Sequence, residues 1–492
     1  MKRVLIANRG EISVRIARTL RELGIEAVAV YTPEDCRALH ARSADRALEL
    51  GSPRGYLDAA ELISVARRAG VDAIHPGYGF LSENAEFAAA CAAAGLTFIG
   101  PPATAIAAMG SKQRARAAMA AASVPITPGG DARTLDEAKA TAARVGYPVL
   151  IKATDGGGGK GMRLVETEAE LETALERTRS EAQNAFGSDA VYLEKAITNA
   201  RHVELQVLGD QHGNIVHLFE RDCSIQRRHQ KIVEETPCPV LSRETLAKMA
   251  EVAIRGAAAI GYFSAGTFEF LLAPDGSFYF LEMNTRLQVE HPITELVTGL
   301  DLVREMIAVA RGEKLALEPV RRGAAIEVRV YAEDPASGFL PSPGKISLLR
   351  PANGPFVRDD SGVYEGAEVS PSYDPLLAKL SVWAEDREHA LARMRRALAD
   401  YAVGGIRTNL SFLARVVADP DFARGDYDID FVGRKLETLL AEPKPEPEAR
   451  ILLAAASAVA AQIEAEKSAP QREPSNGGLS PWLEAQRSEL KW

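Results

Sequence analysis

Glu269 and Glu282 lie equally far on either side of Asp275-Gly276 in FEFLLAPDGSFYFLEMN, a run that reads as two strands joined by a tight turn. Their carboxylates are then expected to face each other, and like charges directly opposite on a sheet destabilise it unless a cation sits between them. Asn284, two residues beyond Glu282, projects from the same face. Two carboxylates and an amide oxygen are the hard ligands that magnesium prefers when it also holds nucleotide phosphates. Polar residues continue at every second position through Arg286, Gln288 and Glu290, which strand period would align with Glu282 and Asn284. That mixture of metal ligand, cation and potential base suits catalysis; two glutamates on a solvated sheet face are the plain alternative.

A second constellation is Asp155-Gly156-Gly157-Gly158-Gly159-Lys160-Gly161, between the apolar runs PVLIKAT and MRLV. Consecutive glycines let backbone N–H groups close on a phosphate that any Cβ would obstruct. A P-loop needs Ser or Thr after Gly-Lys and then a helix, whereas Gly161, Met162 and a strand follow Lys160. The segment reads as a strand-loop-strand phosphate cover, with a flexible hairpin as the alternative. Lys152, just upstream on a strand, favours the cover because its ammonium can point at the same phosphates.

Positioning these groups takes several layers. Up to about residue 110, short strands (VLIA, EAVAVY, AIHP, TFIG) alternate with alanine-rich helices, the pattern of βαβ units around a parallel sheet. Asn8-Arg9-Gly10-Glu11 follows the first strand without the G-x-G-x-x-G fingerprint, so no NAD site is assigned. A helix follows Ser111-Lys112, and a small lid at about 131–197 carries the strands PVLIKAT, GKGMRLV and AVYLEKAI. After Arg201 the chain is strand-rich, then helical, with Asp301 as an N-cap and Gly312 just past the helix end. The expected fold class is α/β. It comprises a parallel-sheet N-terminal domain over 1–110, a central domain over 111–330 including the lid, an α+β domain over 331–442, and a tail over 443–492. The tail pairs an alanine-rich helix from about Arg450 to Lys467 with a Pro/Ser/Gly-rich stretch.

A chain of 492 residues is long enough for two to four packed domains. Its net charge of -9 supplies no basic field for a nucleic acid or an anionic membrane, so neither is expected as a partner. No apolar run is long enough to span a bilayer, and the N-terminus is too short in apolar residues for a signal peptide. Cys36, Cys91, Cys223 and Cys238 are scattered without a C-x-x-C pair, which suits reduced thiols in a cytoplasm.

The strings IANRGEI, HPGYGFLSEN, the glycine-rich loop, ERDCSIQRRHQK and LEMNTRLQVEHP closely resemble those of the biotin carboxylase family within the ATP-grasp superfamily, over roughly the first 440 positions. The resemblance implies an ATP-grasp central domain and lid followed by a biotin carboxylase C-terminal domain. It implies that Lys112 and Lys152 contact ATP phosphates, that Gly158 and Gly159 cover them, and that Glu194, Lys195, Ala196 and Ile197 line the adenine. His202, Gln226 and His229 would reach the ribose and phosphates, while Glu269, Glu282 and Asn284 would hold two Mg2+ or Mn2+ ions. Lys231, Arg286, Gln288 and Val289 look like the bicarbonate pocket and Glu290 like its general base; Arg329, with Tyr78 and Gly79, looks like the biotin contact.

By the same resemblance, ATP and bicarbonate give carboxyphosphate, and biotin on a separate biotin carboxyl carrier protein is then carboxylated. A carboxyltransferase subunit and a homodimer are the implied partners. No Met-Lys-Met-like turn, the mark of a carrier domain, occurs in these residues, and Trp482 in the tail is a candidate anchor for a partner subunit. Asp155, Ala196 and Ser370-Pro371-Ser372-Tyr373-Asp374 depart from the family pattern, touching the loop, the adenine hinge and a region of dimer contacts. The competing readings are another ATP-grasp carbon–nitrogen ligase and an inactive nucleotide-binding subunit.

Overall fold

The computed structural model describes residues 1–51, 53–154 and 162–441, together with Val459 and Gln462. The glycine-rich loop, with Gly158 and Gly159, and nearly all of the tail, with Trp482, lie outside these residues.

The first layer follows from apolar runs too short for helices. Strands β1 (Arg3–Ile6), β2 (Glu26–Tyr31), β3 (Arg46–Glu49), β4 (Ala73–His75) and β5 (Thr97–Phe98) form a parallel sheet in the order β3-β2-β1-β4-β5. The order reverses between β1 and β4, and the loops leaving the carboxyl ends of such a pair form a crevice. Helices cover the sheet; Ala59–Ala69 is capped by Asp58, which accepts from the Glu61 N–H at 3.0 Å, and stops at Gly70 in the left-handed region.

Strands β6 (Gly129–Asp131), β7 (Val149–Ala153), β8 (Met162–Val165) and β9 (Val191–Lys195) form a small antiparallel sheet in the order β6-β9-β7-β8. With the helices Leu135–Val145 and Glu168–Phe186 it has its own core, from Ala138 and Ile151 to Leu171 and Leu193.

The rest is organised by one antiparallel sheet. Strands β10 (Arg201–Gly209), β11 (Ile215–Arg227), β12 (Gln230–Thr236), β13 (Ser264–Leu272), β14 (Phe278–Asn284) and β15 (Ala324–Tyr331) are joined by Leu376–Ala384 and then Val357–Ser361. The order is β14-β13-β10-β11-β12-β15, then these two. The expected domain boundary at 330 therefore falls inside a strand in mid-sheet. The first sheet and this one share a core, in which Val4, Ile6 and Ile16 meet Leu208, Leu287 and Met306. Asp301 caps Leu302–Ala310 as expected, accepting from the Arg304 N–H at 2.9 Å, and Gly312 follows at φ 83°. Among the described residues no helix is long and apolar enough to cross a membrane.

The β13–β14 hairpin departs from the expected turn. Ala273 and Ser277 pair by backbone, leaving Pro274, Asp275 and Gly276 as a three-residue loop with Gly276 at φ +84°. Continued without interruption, that register would set Glu269 against Leu281. A β-bulge between Glu269 and Phe270 and their partners restores the pairing of Glu269 with Glu282. Beyond Asn284 the expected strand is absent: Thr285–Glu290 is a loop running into the helix His291–Thr298.

Candidate active site

Cross-strand register puts four charged groups in one row: Glu282 on β14, Glu269 on β13, Glu204 on β10 and Arg221 on β11. Three carboxylates in sequence across a sheet repel unless cations are interleaved. Arg221, fully buried, donates from Nε to Glu204 at 2.5 Å and from Nη1 to Gln206 and Thr294, each at 2.8 Å. Lys231 on β12 reaches over the row, its Nζ 2.5 Å from Glu204, 2.8 Å from Glu269 and 2.7 Å from Glu290. Burial alone would push the Lys231 ammonium down, but Glu204, Glu269 and Glu290 outweigh it and hold the pKa well above the usual lysine value.

Glu290 is completely buried at the end of the Thr285–Glu290 loop. Burial favours its neutral form, yet Lys231 at 2.7 Å, Arg329 at 3.0 Å and the Arg221 charge pull its pKa well below the ordinary carboxylate range. The loop is pinned throughout. Glu83 accepts from the Thr285 N–H at 3.0 Å and from Arg286 Nε at 2.8 Å. Arg286 also donates to Asn284 and Gln288, at 2.7 and 2.9 Å, and Gln288 donates to Glu269 at 3.2 Å. The buried His291 ring sits 2.8 Å from the Gln288 carbonyl. Arg329 on β15 is shared between two carboxylates, Glu234 at 2.6 Å and Glu290 at 3.0 Å.

Of these groups Lys231, Glu269, Glu282, Arg286, Gln288 and Arg329 line one end of a cavity of about 680 Å3, and Glu290 lies behind Lys231 and Arg329. At the other end Lys152 on β7 pairs with the buried Glu194 on β9, and Arg116 lies 3.4 Å from the same carboxylate. Lys112, first residue of the helix Lys112–Ala121, also lines the cavity, and burial lowers its pKa despite the Glu282 charge. His202, Gln226 and His229 line the wall between; His202 Nε2 is 3.1 Å from Glu269 and Nδ1 is 3.1 Å from the Gln226 amide. Ile429, Asp430 and Gly433, from the far end of the chain, close it.

Glu282 pairs with Glu269 across the strands and the Asn284 amide donates to Glu269 at 2.9 Å; two carboxylates and an amide oxygen are a donor set that fits a divalent cation. The Glu269 charge, with burial second, raises the Glu282 pKa, a repulsion that a cation would relieve.

A second cavity of about 490 Å3 adjoins the first, with Arg286, Val289, Arg329 and Gln230 in both walls. Its outer wall is the β1/β4 crevice: Asn8 to Glu11, Tyr78, Gly79 and Phe80. Tyr78 donates its hydroxyl hydrogen bond to Glu11.

Lys195 turns away from the cavity, its ammonium on the Gly146 and Tyr147 carbonyls at 3.1 and 2.8 Å. Neither it nor Ala196 nor Ile197 lines the cavity. Glu83, Glu204, Arg221 and Glu234 stand in the site without having been singled out from sequence. Glu83 lies in HPGYGFLSEN and Arg221 in ERDCSIQRRHQK, so a search of those strings for unassigned charges would have found both. Glu204 and Glu234 have a weaker signal, a charge inside an otherwise strand-like run.

Family profiles cover most of the chain. "Biotin carboxylase, N-terminal domain" matches residues 1–106, "Carbamoyl-phosphate synthase L chain, ATP binding domain" 111–318, and "Biotin carboxylase C-terminal domain" 327–434. Biotin carboxylase 1 of Bacillus subtilis is 49% identical over 441 residues, 88% of this chain and 98% of that protein. The chain belongs to the biotin carboxylase family. Mitochondrial methylcrotonoyl-CoA carboxylase subunit alpha of Dictyostelium discoideum is 48% identical over 98% of this chain and 69% of its own length. The chain spans only 62% of the rat protein of that name. Among solved structures, the biotin carboxylase domain dimer of Hydrogenobacter thermophilus 2-oxoglutarate carboxylase, in complex with MgADP, ADP and bicarbonate, superposes with a TM-score of 0.85. It is 44% identical, over 90% of this chain and 99% of that one. Biotin carboxylase of Campylobacter jejuni gives 0.84 at 46% identity, over 88% and 98%.

Proposed function

We propose that this biotin carboxylase uses ATP and bicarbonate to carboxylate biotin presented by a biotin carboxyl carrier protein, the first half-reaction of a multisubunit acyl-CoA or pyruvate carboxylase. The observation that carries the reading is Glu290: a fully buried carboxylate kept ionised by Lys231 and Arg329, of which Lys231 lines the long cavity and Arg329 lines both that cavity and the Tyr78 crevice.

In this reading Lys112, Lys152 and His229 grip the ATP phosphates, Gly158 and Gly159 cover them, and His202 and Gln226 approach the ribose. Glu194 to Ile197 serve the adenine, with Glu194 in the cavity wall and the Lys195 side chain engaged elsewhere. Glu269, Glu282 and Asn284 would hold two Mg2+ or Mn2+ ions, which neutralise phosphate charge when bound. Lys231, Arg286, Gln288 and the Val289 backbone seat bicarbonate, a poor nucleophile, and Glu290 takes its proton as it attacks the γ-phosphate. Carboxyphosphate then yields CO2 and phosphate beside biotin in the crevice of Tyr78 and Gly79. That phosphate takes the biotin N1′ proton, Arg329, already forked between two carboxylates, donates to the enolate oxygen that forms, and N1′ then bonds to the CO2 carbon to give carboxybiotin. The carrier and a carboxyltransferase subunit are the proposed partners, a homodimer the proposed state, and a reducing cytoplasm the proposed setting, in keeping with four unpaired cysteines.

The test is ATP hydrolysis with bicarbonate, with and without free biotin. Hydrolysis that requires bicarbonate and rises with biotin, with carboxybiotin formed, is expected. Bicarbonate-dependent hydrolysis indifferent to biotin would instead indicate another ATP-grasp carbon–nitrogen ligase, and nucleotide binding without turnover an inactive subunit.

A further inference from the structure

Lys379 is fully buried on the strand Leu376–Ala384, and the reaction described above makes no use of it. An ammonium stays in such a place only with partners. Its ammonium contacts Glu11 Oε1 at 3.2 Å and the Val289 carbonyl at 2.9 Å, and stands 5.9 Å from the centre of the Tyr78 ring. Across the sheet it lies between Arg329 on one strand and the buried Asp360 on the other, whose charge offsets the repulsion between the two cations.

Both cations are aimed at the same turn. Arg329 takes the Glu290 carboxylate at 3.0 Å, and Lys379 takes the carbonyl of the residue before it. Because a peptide unit is planar, holding the Val289 carbonyl also sets the direction of the Glu290 N–H and the placement of its Cα. Glu290 immediately precedes the helix His291–Thr298, so its backbone is held from both sides. Glu11 is itself fastened by the Tyr78 hydroxyl. Glu11 follows β1 and Tyr78 follows β4, so the carboxyl ends of two interior strands of the first sheet anchor the counter-ion.

We infer that Lys379 is a positioning residue for bicarbonate: with Glu11 as its buried counter-ion, it clamps the Val289–Glu290 peptide so that the anion seat and the base keep their mutual geometry. The inference rests on the proposed bicarbonate seat at Gln288 to Glu290.

In the full-length chain, Lys379→Met keeps much of the side-chain volume and deletes the donor. The bicarbonate KM is expected to rise about 10- to 100-fold, the factor for a lost hydrogen bond from a charged group. The ATP KM and the calorimetric dissociation constant of ADP should stay within about twofold. Lys379→Arg, which retains a donor, should recover part of the loss. The double variant Lys379→Met with Glu11→Gln removes the buried charge on both sides and guards against misfolding of the single variant. It cannot restore the grip on Val289, so its bicarbonate KM should remain raised. A folded Lys379→Met with an unchanged bicarbonate KM, or a double variant that returns to the wild-type KM, would overturn the inference. So would ATP and bicarbonate KM rising in parallel. Gln288→Ala separates the two levels: if it raises the bicarbonate KM and Lys379→Met does not, only the clamp is wrong. If neither does, the seat itself is misassigned.

Discussion

The two ends of the long cavity are held by different sheets in different ways. At the proposed nucleotide end, Lys152 and Arg116 share one carboxylate, Glu194, on a four-stranded sheet with its own small core. At the proposed bicarbonate end, Lys231 and Arg329 make five contacts with Glu204, Glu234, Glu269 and Glu290 in the middle of an eight-stranded sheet. Cations that must receive a polyanion work best lightly engaged, since every internal ion pair has to be exchanged on binding. A base and an anion seat work best when fixed beforehand, because reorganisation during proton transfer adds to the barrier.

The contrast is most sharply tested at Glu290. Glu290→Gln is expected to lower bicarbonate-dependent ATP turnover by ~100- to 10,000-fold, the range for losing a general base, while calorimetry finds ADP binding unchanged. Undiminished turnover would remove Glu290 as the base. Arg329→Lys keeps the charge and loses the planar fork; carboxybiotin formation should fall ~100- to 1,000-fold, with bicarbonate-dependent hydrolysis in the absence of biotin less affected. Equal losses in both assays would place Arg329 with bicarbonate instead. At the other end, Lys152→Met should weaken ATP binding by about 10- to 100-fold and leave the bicarbonate KM alone.

A pH measurement compares the ends through stability. The Glu290 pKa is depressed in the folded state, so its contribution is present above its ordinary value of 4.5 and lost as pH falls below it. The thermal midpoint of the wild type should drop on acidification in that window, and that of Glu290→Gln should drop less steeply. The smallest effect is expected from Glu234→Gln. Burial, outweighing Arg329, raises the Glu234 pKa to about 7, so an uncharged isostere should cost carboxybiotin formation less than about tenfold.

The Glu269–Glu282 pair shows how far local reasoning reaches. Glu269 and Glu282 do face each other, but not through the two-residue turn that the Asp275-Gly276 spacing suggested. The loop is one residue longer, and a bulge takes up the difference. Phe268, Phe270 and Phe280 of the hairpin pack with Val203, Leu205, Met249 and Ala253 from elsewhere in the chain, contacts that the turn spacing does not reveal. The even spacing of Arg286, Gln288 and Glu290 was likewise informative for the wrong reason. They converge because Glu83, His291, Lys231 and Arg329 draw a loop into place, and these partners come from four separate parts of the chain.

What the sequence by itself determined is the inventory: an α/β opening domain, a glycine-rich loop a few residues after Lys152, two carboxylates and an amide at even spacing around a turn, and family strings that name the chemistry. These depend on residue types and short periodicities, which chain neighbours specify. What only the tertiary structure decided is the electrostatics: the Glu282-Glu269-Glu204-Arg221 row, the ionised buried Glu290, and Lys379 poised on Val289. Charge state in a low-dielectric interior depends on which distant partners arrive within a few ångströms, and strand order, not spacing along the chain, sets that.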